Sequence, residues 1–282
     1  MRIPESILKL LRVSDKKPEI KICSGGSINA AYRIKTEDDI LFLKINELAK
    51  HPDLFECEAE GLNLISRFVP APKVLKVGKE SNIQFLVLEW LEEIHMSESA
   101  DGEAGKILAQ LHQQSNNAYG FEKSNYIGNI LQDNRYEENY FDFFVTRRIE
   151  PLLKKAMEKF GKDIFSIKKT ESFFRHLPQL IPVEKPALIH GDLWSGNMMH
   201  TQDGVKFFDP SVHYGHRESD IGMSKLFGGF SDLFYEAYQE EFPLQKGWEK
   251  RCDYFNLYPL LAHLILFGRS YHESIKKILQ PF

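Results

Sequence analysis

The segment His190–Asn197, which reads His-Gly-Asp-Leu-Trp-Ser-Gly-Asn, contains the residues with the clearest chemical content in this sequence. Asp192 precedes Asn197 by five positions, a spacing found in catalytic loops for phosphoryl transfer. In such loops the carboxylate accepts a hydroxyl proton while the carboxamide oxygen holds a divalent cation. Apolar residues on both sides, Ala187–Ile189 and Met198–Met199, predict short buried strands around the loop. The alternative is a turn in which both side chains only accept backbone hydrogen bonds.

A second acidic position follows in Val205–Pro210, where an apolar strand is predicted to end at Asp209. Oxygen atoms of Asn197 and Asp209 could together ligate a hard cation, and Mg²⁺ prefers sparse protein ligation completed by phosphates and water. The separation of the two residues suits a hairpin that folds them back towards each other. Alternatively, Asp209 caps the end of a strand before proline.

Candidate phosphate-binding residues lie in the first quarter of the chain. Ser24-Gly25-Gly26-Ser27 falls between two predicted strands, where backbone N–H groups could cover phosphates, although a plain hairpin turn explains the glycines equally well. Lys44 lies in the apolar run Leu41–Ile45 and could contact phosphates, or could point outward by strand alternation. Glu58 on the following helix could pair with Lys44, as in the lysine–glutamate pair of kinases.

Strands dominate the predicted structure of the first ninety residues. Runs of β-branched and aromatic residues, bounded by Gly, Asp or Asn, predict strands at Ile20–Cys23, Ala30–Lys35, Ile40–Ile45 and Phe85–Glu89. The segment Asp53–Phe68 has helical spacing of apolar residues and is closed by prolines. A short amphipathic helix is predicted within the first thirteen residues.

Beyond Glu92 the pattern is mainly helical. The main candidates are Asp101–Gln114, Tyr140–Lys159 and Phe255–Tyr271, interrupted by a β-rich patch at Ala187–Asp209. The sequence therefore predicts an α+β protein with two lobes. Residues 1–91 would form a small β-rich N-lobe with one main helix, which binds nucleotide. Residues 92–282 would form a larger, mainly helical C-lobe with the catalytic loop, metal site and substrate site.

The amino-acid composition of the chain limits the classes of binding partner that can be expected. The 282 residues are 43% hydrophobic and 27% charged with a net charge of −4, so nucleic acid and anionic membranes are not expected partners. Neither a signal peptide nor a membrane span is visible, which predicts a cytoplasmic location. The three cysteines have long spacings, which predicts reduced thiols rather than disulfides or a zinc site.

These motifs resemble those of the fructosamine (ketosamine) kinase family, relatives of the aminoglycoside and choline kinases. The resemblance covers nearly the whole chain. Trp194-Ser195 within the catalytic loop distinguishes this family from its other relatives. Further matching segments are Asp209-Pro210, Tyr214–Glu218, Asp220, Leu226–Phe230, Gly120-Phe121, Asn125–Gly128, Phe143-Phe144 and His263–Arg269.

The resemblance implies a protein-kinase-like fold and a role for each matching residue. Asp192 would be the general base, and Asn197 and Asp209 would hold Mg²⁺. The glycine-rich Gly25, Gly26 and Ser27 would cover the phosphates of ATP, Lys44 would contact the α- and β-phosphates, and Glu58 would orient Lys44. Glu89 and Leu91 would offer backbone groups to adenine, Trp194 would pack against the sugar, and His263 would line the sugar pocket.

The activity implied is ATP- and Mg²⁺-dependent phosphorylation of a ketosamine hydroxyl, at O3 by resemblance, in protein deglycation. The substrate would be a small ketosamine or a glycated protein lysine. One alternative is an aminoglycoside- or choline-type kinase, which Trp194-Ser195 argues against. Another is an inactive kinase fold that binds nucleotide as a scaffold, which predicts loss of at least one of Lys44, Asp192, Asn197 and Asp209. The preferred sugar and the oligomeric state are left open.

Overall fold

The computed structural model describes residues 2–13, 17–23, 29–94 and 99–282. The chain divides into two compact units. The first contains Met1–His95 and Met199–Pro210, and the second contains Met96–Met198 and Ser211–Phe282. The predicted domain boundary at residue 91 stays a prediction, because compactness alone does not define an independently folding domain.

The described residues form ten α-helices and eleven strands. The helices are α1 Glu5–Leu10, α2 Leu54–Ile65, α3 Ser99–His112, α4 Tyr140–Asp142, α5 Glu150–Phe160, α6 Ile167–Leu180, α7 Glu218–Leu226, α8 Asp232–Glu241, α9 Trp248–Phe267 and α10 His272–Leu279. The strands are β1 Glu19–Cys23, β2 Ala30–Lys35, β3 Ile40–Glu47, β4 Val74–Glu80, β5 Ile83–Glu89, β6 Asn125–Ile127, β7 Ile130–Gln132, β8 Ala187–Ile189, β9 Met198–Thr201, β10 Gly204–Phe207 and β11 His213–Gly215. A π-helical segment, Phe143–Ile149, lies between α4 and α5.

The first unit is built on an antiparallel sheet with strand order β1-β2-β3-β5-β4. Alternating apolar side chains of the central strands, among them Ile34, Leu43 and Phe85, pack with Ile7 of α1 into one buried cluster. The central strand β3 is hydrogen-bonded on both sides, which holds the backbone of Lys44 rigidly in register with Leu86 of β5.

Helix α2 packs against β4 and β5 through an apolar face that includes Phe55, Leu62 and Ile65. The backbone N–H of Phe55 donates to Gln84 Oε1 at 3.2 Å, which ties the start of the helix to β5. The helix is thereby fixed in rotation as well as position. This sets which of its acidic residues faces the sheet.

The second unit is organised around α9. Its side chains are buried on most sides, as expected for a central helix, and α5, α7 and α10 pack against it. Helices α3 and α8 pack closely because position 105 is glycine; a Cβ there would overlap the carbonyl group of Phe234. Within the described part of the chain, none of the helices combines the length and apolar character needed to cross a bilayer.

Candidate active site

The predicted catalytic loop begins where β8 ends and closes in a 3₁₀ turn, Ser195–Asn197. Gly191 has φ +81°, and a Cβ there would overlap the Ser211 carbonyl, so only glycine fits this bend. Within the loop, Asn197 Nδ2 donates to the Asp192 carbonyl at 2.8 Å and to Asp192 Oδ2 at 3.3 Å. The amide N–H groups thus face Asp192, which leaves the carboxamide oxygen of Asn197 as the atom that can ligate a cation.

A buried carboxylate beneath the loop fixes its backbone. Asp220 of α7 accepts hydrogen bonds from the backbone N–H groups of His190 at 2.6 Å and Gly191 at 2.9 Å. His112 Nε2 lies 3.2 Å from Asp220 Oδ2 and donates to it, because a carboxylate can only accept. His112 Nδ1 then accepts from the Tyr238 hydroxyl at 2.8 Å. The network therefore connects α8, α3 and α7 to the backbone that carries Asp192.

The charge state of Asp220 follows from these contacts. Burial raises the pKa of the carboxyl group, but the hydrogen bond from His112, the favourable electrostatic interaction with the imidazole rings of His112 and His190, and the hydrogen bond from the Gly191 N–H outweigh it. The net pKa is below its ordinary value, so Asp220 is ionised at neutral pH and each N–H group meets a full negative charge. Sequence reasoning assigns no role to Asp220 or His112. The only signal for Asp220 is its place among the segments that match the family.

Lys44, Glu58 and Asp209 form an ionic cluster in the first unit. The Lys44 side chain is buried, donates to Glu58 Oε1 at 2.7 Å, and also forms an ion pair with Asp209 Oδ1. Lys44 therefore does not point outward into solvent. Among the neighbouring acids on α2, Glu56 instead pairs with Lys79 at 2.8 Å. The structure thus contains the Lys44–Glu58 pair that the sequence predicted.

The cluster carries two carboxylates for one ammonium group. Burial lowers the pKa of Lys44, but the charges of Asp209 and Glu58 outweigh it, and the net pKa is raised. Burial raises the pKa of Glu58 to about 8; Lys44 lowers it, and the negative charge of Asp209 raises it. The three side chains therefore form one electrostatically coupled group around the Lys44 ammonium.

Asp209 lies two positions after the last residue of β10 and has φ +55°. This left-handed conformation is uncommon outside glycine and costs about 1 kcal/mol or more, although aspartate tolerates it better than most residues. Its neighbour Phe207 is held by a hydrogen bond from its N–H to the Pro70 carbonyl at 3.0 Å. The strained backbone turns the Asp209 carboxylate towards Lys44 at the point where the strand ends.

The residues predicted to contact adenine lie at the end of β5. The Glu89 N–H donates to the Lys73 carbonyl at 3.0 Å, and its carboxylate accepts from Lys206 Nζ at 3.0 Å. Leu91 follows two positions after the strand and is half-buried. The predicted phosphate-covering residues Gly25, Gly26 and Ser27 lie outside the described residues.

The two predicted substrate-contacting residues are linked through a third aromatic ring. The Trp194 ring lies over Gly196, where a Cβ would overlap the indole. Phe227 contacts Trp194 edge to face, with 6.4 Å between ring centroids, and lies 4.7 Å from the His263 ring. His263 Nδ1 is 2.8 Å from the Pro259 carbonyl, and burial lowers the pKa of the imidazole. The sequence points to Phe227 only as part of a matching segment.

Three groups of predicted residues are therefore assembled: Lys44, Glu58 and Asp209 in the first unit, Asp192 and Asn197 in the second unit, and Trp194 with His263 through Phe227 in the second unit. Among the described residues, no group of three or more His, Cys, Asp or Glu side chains has the arrangement of a metal site. Asn197 in the second unit and Asp209 in the first unit each carry an oxygen atom of the type that Mg²⁺ prefers, and their role as metal ligands stays a prediction.

Comparison with known proteins identifies the group to which this arrangement belongs. The fructosamine kinase family model matches residues 5–282. The chain belongs to the fructosamine kinase family. It is 40% identical over 264 residues to an Enterococcus faecium protein named "Probable ketoamine kinase", with 92% of this chain and 93% of that protein covered. The family membership predicted from the motifs is confirmed.

Solved structures extend the comparison to the fold. The crystal structure of a fructosamine-3-kinase homologue from Thermobifida fusca aligns with a TM-score of 0.85 at 29% identity, covering 99% of this chain and 98% of that chain. A mutant aminoglycoside phosphotransferase, APH(4)-Ia, in complex with AMP-PNP and hygromycin B aligns at 0.63 with 13% identity, covering 98% of both chains. At that identity the likeness concerns the fold alone. The predicted α+β, protein-kinase-like fold is confirmed.

Proposed function

We propose that this protein transfers the γ-phosphoryl group of ATP to a hydroxyl group of a ketosamine such as fructosamine or ribulosamine, at O3. Membership of the fructosamine kinase family makes the chain a phosphotransferase with an alcohol group as acceptor. The observation that carries the proposal is the Asp192–Asn197 pair, in which the amide N–H groups face Asp192 and the amide oxygen suits a cation. The predicted aminoglycoside- or choline-type alternative is not favoured by the family match.

Asp192 accepts the proton of the sugar hydroxyl, and the Asp220 network holds its backbone in place for that step. Lys44 contacts the α- and β-phosphates, and Glu58 holds its ammonium group in position. Asn197 and Asp209 are the proposed ligands of Mg²⁺, which would neutralise charge on the phosphates when bound.

Gly25, Gly26 and Ser27 are proposed to cover the phosphates, and Glu89 and Leu91 are proposed to bind adenine through the backbone. Trp194 and His263 are proposed to contact the sugar. A ketosamine phosphorylated at O3 is unstable and releases its amine, so the proposed role is deglycation, with protein-bound lysine as one source of substrate. The cytoplasmic location stays a prediction.

The test is the release of ADP with Mg²⁺ and ATP against a panel of ketosamines, choline and an aminoglycoside. Turnover with ketosamines alone supports the proposal, and the ranking of sugars identifies the preferred one. Turnover only with choline or the aminoglycoside refutes the substrate class. ATP binding without turnover of any compound favours the inactive scaffold.

Asp192→Asn is the matched variant for this assay, because it keeps the size of the side chain and removes the proton acceptor. It is expected to lower kcat by about two to four orders of magnitude, the usual contribution of a general base. Binding of ATP should stay as in the wild type. An active variant would show that Asp192 is not the base.

A further inference from the structure

A network of hydrogen-bonded polar side chains lies on the inner face of the β6–β7 hairpin in the second unit. Its members, the hairpin network, are Asn125, Gln132, Asn134, Arg148 and Tyr258. Tyr258 is half-buried, and the other four are at most 5% exposed. Asn125 and Gln132 are partners in the strand register, so their side chains emerge on the same face of the hairpin. Buried amide groups are costly unless they are hydrogen-bonded, so each bond constrains the arrangement.

The amide groups of the network can take only one orientation. Asn125 Nδ2 donates to the Val212 carbonyl at 2.8 Å, and a carbonyl group can only accept. Asn125 Oδ1 is therefore the acceptor, and it receives the amide N–H groups of Gln132 at 3.0 Å and Asn134 at 2.8 Å. This arrangement directs the side-chain oxygens of Gln132 and Asn134 away from Asn125, where each requires a donor.

Arg148 and Tyr258 supply those two donors. Arg148 Nη2 donates to Asn134 Oδ1, and the Tyr258 hydroxyl donates to Gln132 Oε1 at 2.8 Å. Burial raises the pKa of the Tyr258 hydroxyl more than the charge of Arg148 lowers it, so the hydroxyl keeps its proton at neutral pH. The orientation of every amide group is thus fixed by these donors at one end and by a backbone carbonyl at the other.

Arg148 is an unusual residue for a position in the core. Its guanidinium group lies 4.4 Å from the centre of the Phe143 ring and donates to the Asp133 carbonyl at 2.8 Å. In the described part of the chain, its Nε has no hydrogen-bond partner. A buried cation bonded to neutral oxygens costs free energy of folding that an apolar side chain would not. Its segment, Phe143–Ile149, is π-helical, a distortion that is frequent at functional sites. Both features favour a functional role for Arg148.

The hairpin is bonded to the segment Ser211–Val212, which also contacts the predicted catalytic loop. Ser211 Oγ donates to the Tyr126 carbonyl of β6, next to the Val212 carbonyl that the network binds. From the same segment, the Ser211 N–H donates to the His190 carbonyl at 2.8 Å. The segment therefore connects the hairpin to the backbone two positions before Asp192.

Both backbone polar groups of His190 are held, and by different elements. Asp220 of α7 accepts from the His190 N–H at 2.6 Å, whereas the Ser211 N–H donates to the His190 carbonyl. The backbone that leads into Asp192 is therefore fixed from two sides. Of these two contacts, the one through Ser211 depends on the position of the hairpin.

We propose that Asn125 and Arg148 are positioning residues for the transfer reaction: the hairpin network holds the Ser211–Val212 segment and, through it, the backbone of the predicted catalytic loop. This inference rests on the proposed function. Arg148 fixes the direction of the amide groups, and Asn125 makes the bond to the segment. Loss of either residue lets Asp192 move relative to the acceptor hydroxyl. The rate of transfer then falls while the binding of ATP is retained.

The first test compares the wild type with Asn125→Ala, which removes the bond to Val212. Release of ADP with Mg²⁺, ATP and a ketosamine is measured well below the Tm of each protein. The variant is expected to lower kcat about ten- to a hundredfold, the effect of displacing a catalytic group by up to about 1 Å. Both KM values should change by less than about twofold. Amide hydrogen exchange in peptides covering residues 187–194 should become faster.

Two variants of Arg148 test the role of its donor groups. Arg148→Met removes the donors, keeps most of the side-chain volume, and should lower kcat about tenfold. Arg148→Lys keeps a donor for Asn134 Oδ1 and should retain kcat within about threefold of the wild type. An equal loss of kcat in the two variants would refute the role of the donor. These variants test the network even if Asn125→Ala does not fold.

Phe173→Leu is the matched control, because Phe173 is fully buried in α6 and stabilises the fold through packing alone. It should lower Tm without changing kcat or the exchange of residues 187–194. The inference is refuted if Asn125→Ala and Arg148→Met lose no more kcat than this control. A wild type without ketosamine turnover would instead refute the proposed function, whereas the exchange rates would still decide whether the network holds the loop.

Discussion

Replacing Asp220 with asparagine tests whether a buried carboxylate holds the catalytic loop in place. The side chain keeps its size but loses its charge and one of its two acceptor oxygens. Three donors converge on the carboxylate: the backbone N–H groups of His190 and Gly191, and His112 Nε2. The donors reach both oxygens of the carboxylate, but an asparagine side chain has only one oxygen. At least one buried donor would therefore face the amide NH₂ group.

The expected loss in the free energy of unfolding follows from the number of hydrogen bonds that the substitution disrupts. A hydrogen bond to a charged group contributes about 1.5–3 kcal/mol, and a buried donor without a partner costs about 1–3 kcal/mol. Asp220→Asn should therefore lower the free energy of unfolding by about 3 kcal/mol, which lowers Tm by about 6–12 °C for a chain of this size. A displacement of about 1 Å at Asp192 would lower kcat about a hundredfold. Lys44 lies outside this network, so the affinity for ATP should be retained.

Thermal unfolding followed by circular dichroism and ADP release measured on the same samples would test both effects. Asp253→Asn is the matched control, because Asp253 is an exposed aspartate on α9. If Asp220→Asn matches this control in both Tm and kcat, the carboxylate does not hold the loop and the reasoning is refuted. A loss of Tm with normal kcat would restrict Asp220 to a structural role.

The pH dependence of Tm independently tests whether the Asp220 carboxylate is ionised in the folded protein. The pKa of Asp220 in the folded protein lies below its ordinary value of 3.8. The stability that the carboxylate contributes is therefore fully present above that value and is lost as the pH falls through the lower, folded-state pKa. The difference in Tm between wild type and Asp220→Asn should be constant near neutral pH and shrink in strong acid. A difference that grows on acidification would contradict this sign.

Three other substitutions test the remaining groups. Asp209→Ala should abolish Mg²⁺-dependent turnover in a protein that stays folded, since Lys44 keeps Glu58 as a partner; normal ADP release would contradict the metal role. Glu58→Ala should raise the KM for ATP about tenfold, because Lys44 then has only Asp209 to hold it, and an unchanged KM would show that Glu58 does not orient the lysine. Gly196→Ala should raise the KM for the ketosamine about tenfold without affecting ATP, because the added Cβ overlaps the Trp194 ring; unchanged sugar kinetics would remove Trp194 from the sugar site.

Local sequence patterns are sufficient to predict the elements whose apolar residues recur with a regular strand or helix period. Strands β2 and β3 and helix α2 are predicted close to their observed bounds. Strand β4 is missed because Lys76, Gly78 and Lys79 interrupt its apolar pattern, as is common for a strand at the edge of a sheet. The predicted start of α9 is seven residues late, at Phe255 instead of Trp248, because its first two turns are largely charged.

Helices α6, α7, α8 and α10 are also not predicted individually. In α6 the internal Pro178 counts against a helix by local rules, although the apolar face formed by Phe173 and Leu177 packs in the core. The predicted helix Tyr140–Lys159 contains the π-helical segment Phe143–Ile149, whose altered hydrogen bonding has no signature in local spacing. The secondary structure of these segments is determined by tertiary packing.

Some contacts of the candidate site can likewise be predicted from local sequence, and others cannot. The Asp192–Asn197 pair can be predicted because both residues lie in one short loop whose spacing sets their geometry. The support from Asp220 spans 30 positions, and the Lys44–Asp209 pair spans 165, so neither contact has a local signature. The left-handed backbone of Asp209 is likewise set by its surroundings, since nothing in its own residue type requires that conformation.

Packing makes two separate sequence segments of this chain depend on each other. Gly196 leaves room for the Trp194 ring to fold over its own loop, and Gly229, with φ +96°, leaves room for the Ser195 hydroxyl, which a Cβ at that position would overlap. Phe227 then meets Trp194 at the edge of its ring. Trp194-Ser195-Gly196 and the loop that follows α7 are therefore two sides of one contact. A Cβ at position 196 would displace the Trp194 ring next to Asp192, and a Cβ at position 229 would displace the side chain of Ser195, its neighbour in the loop.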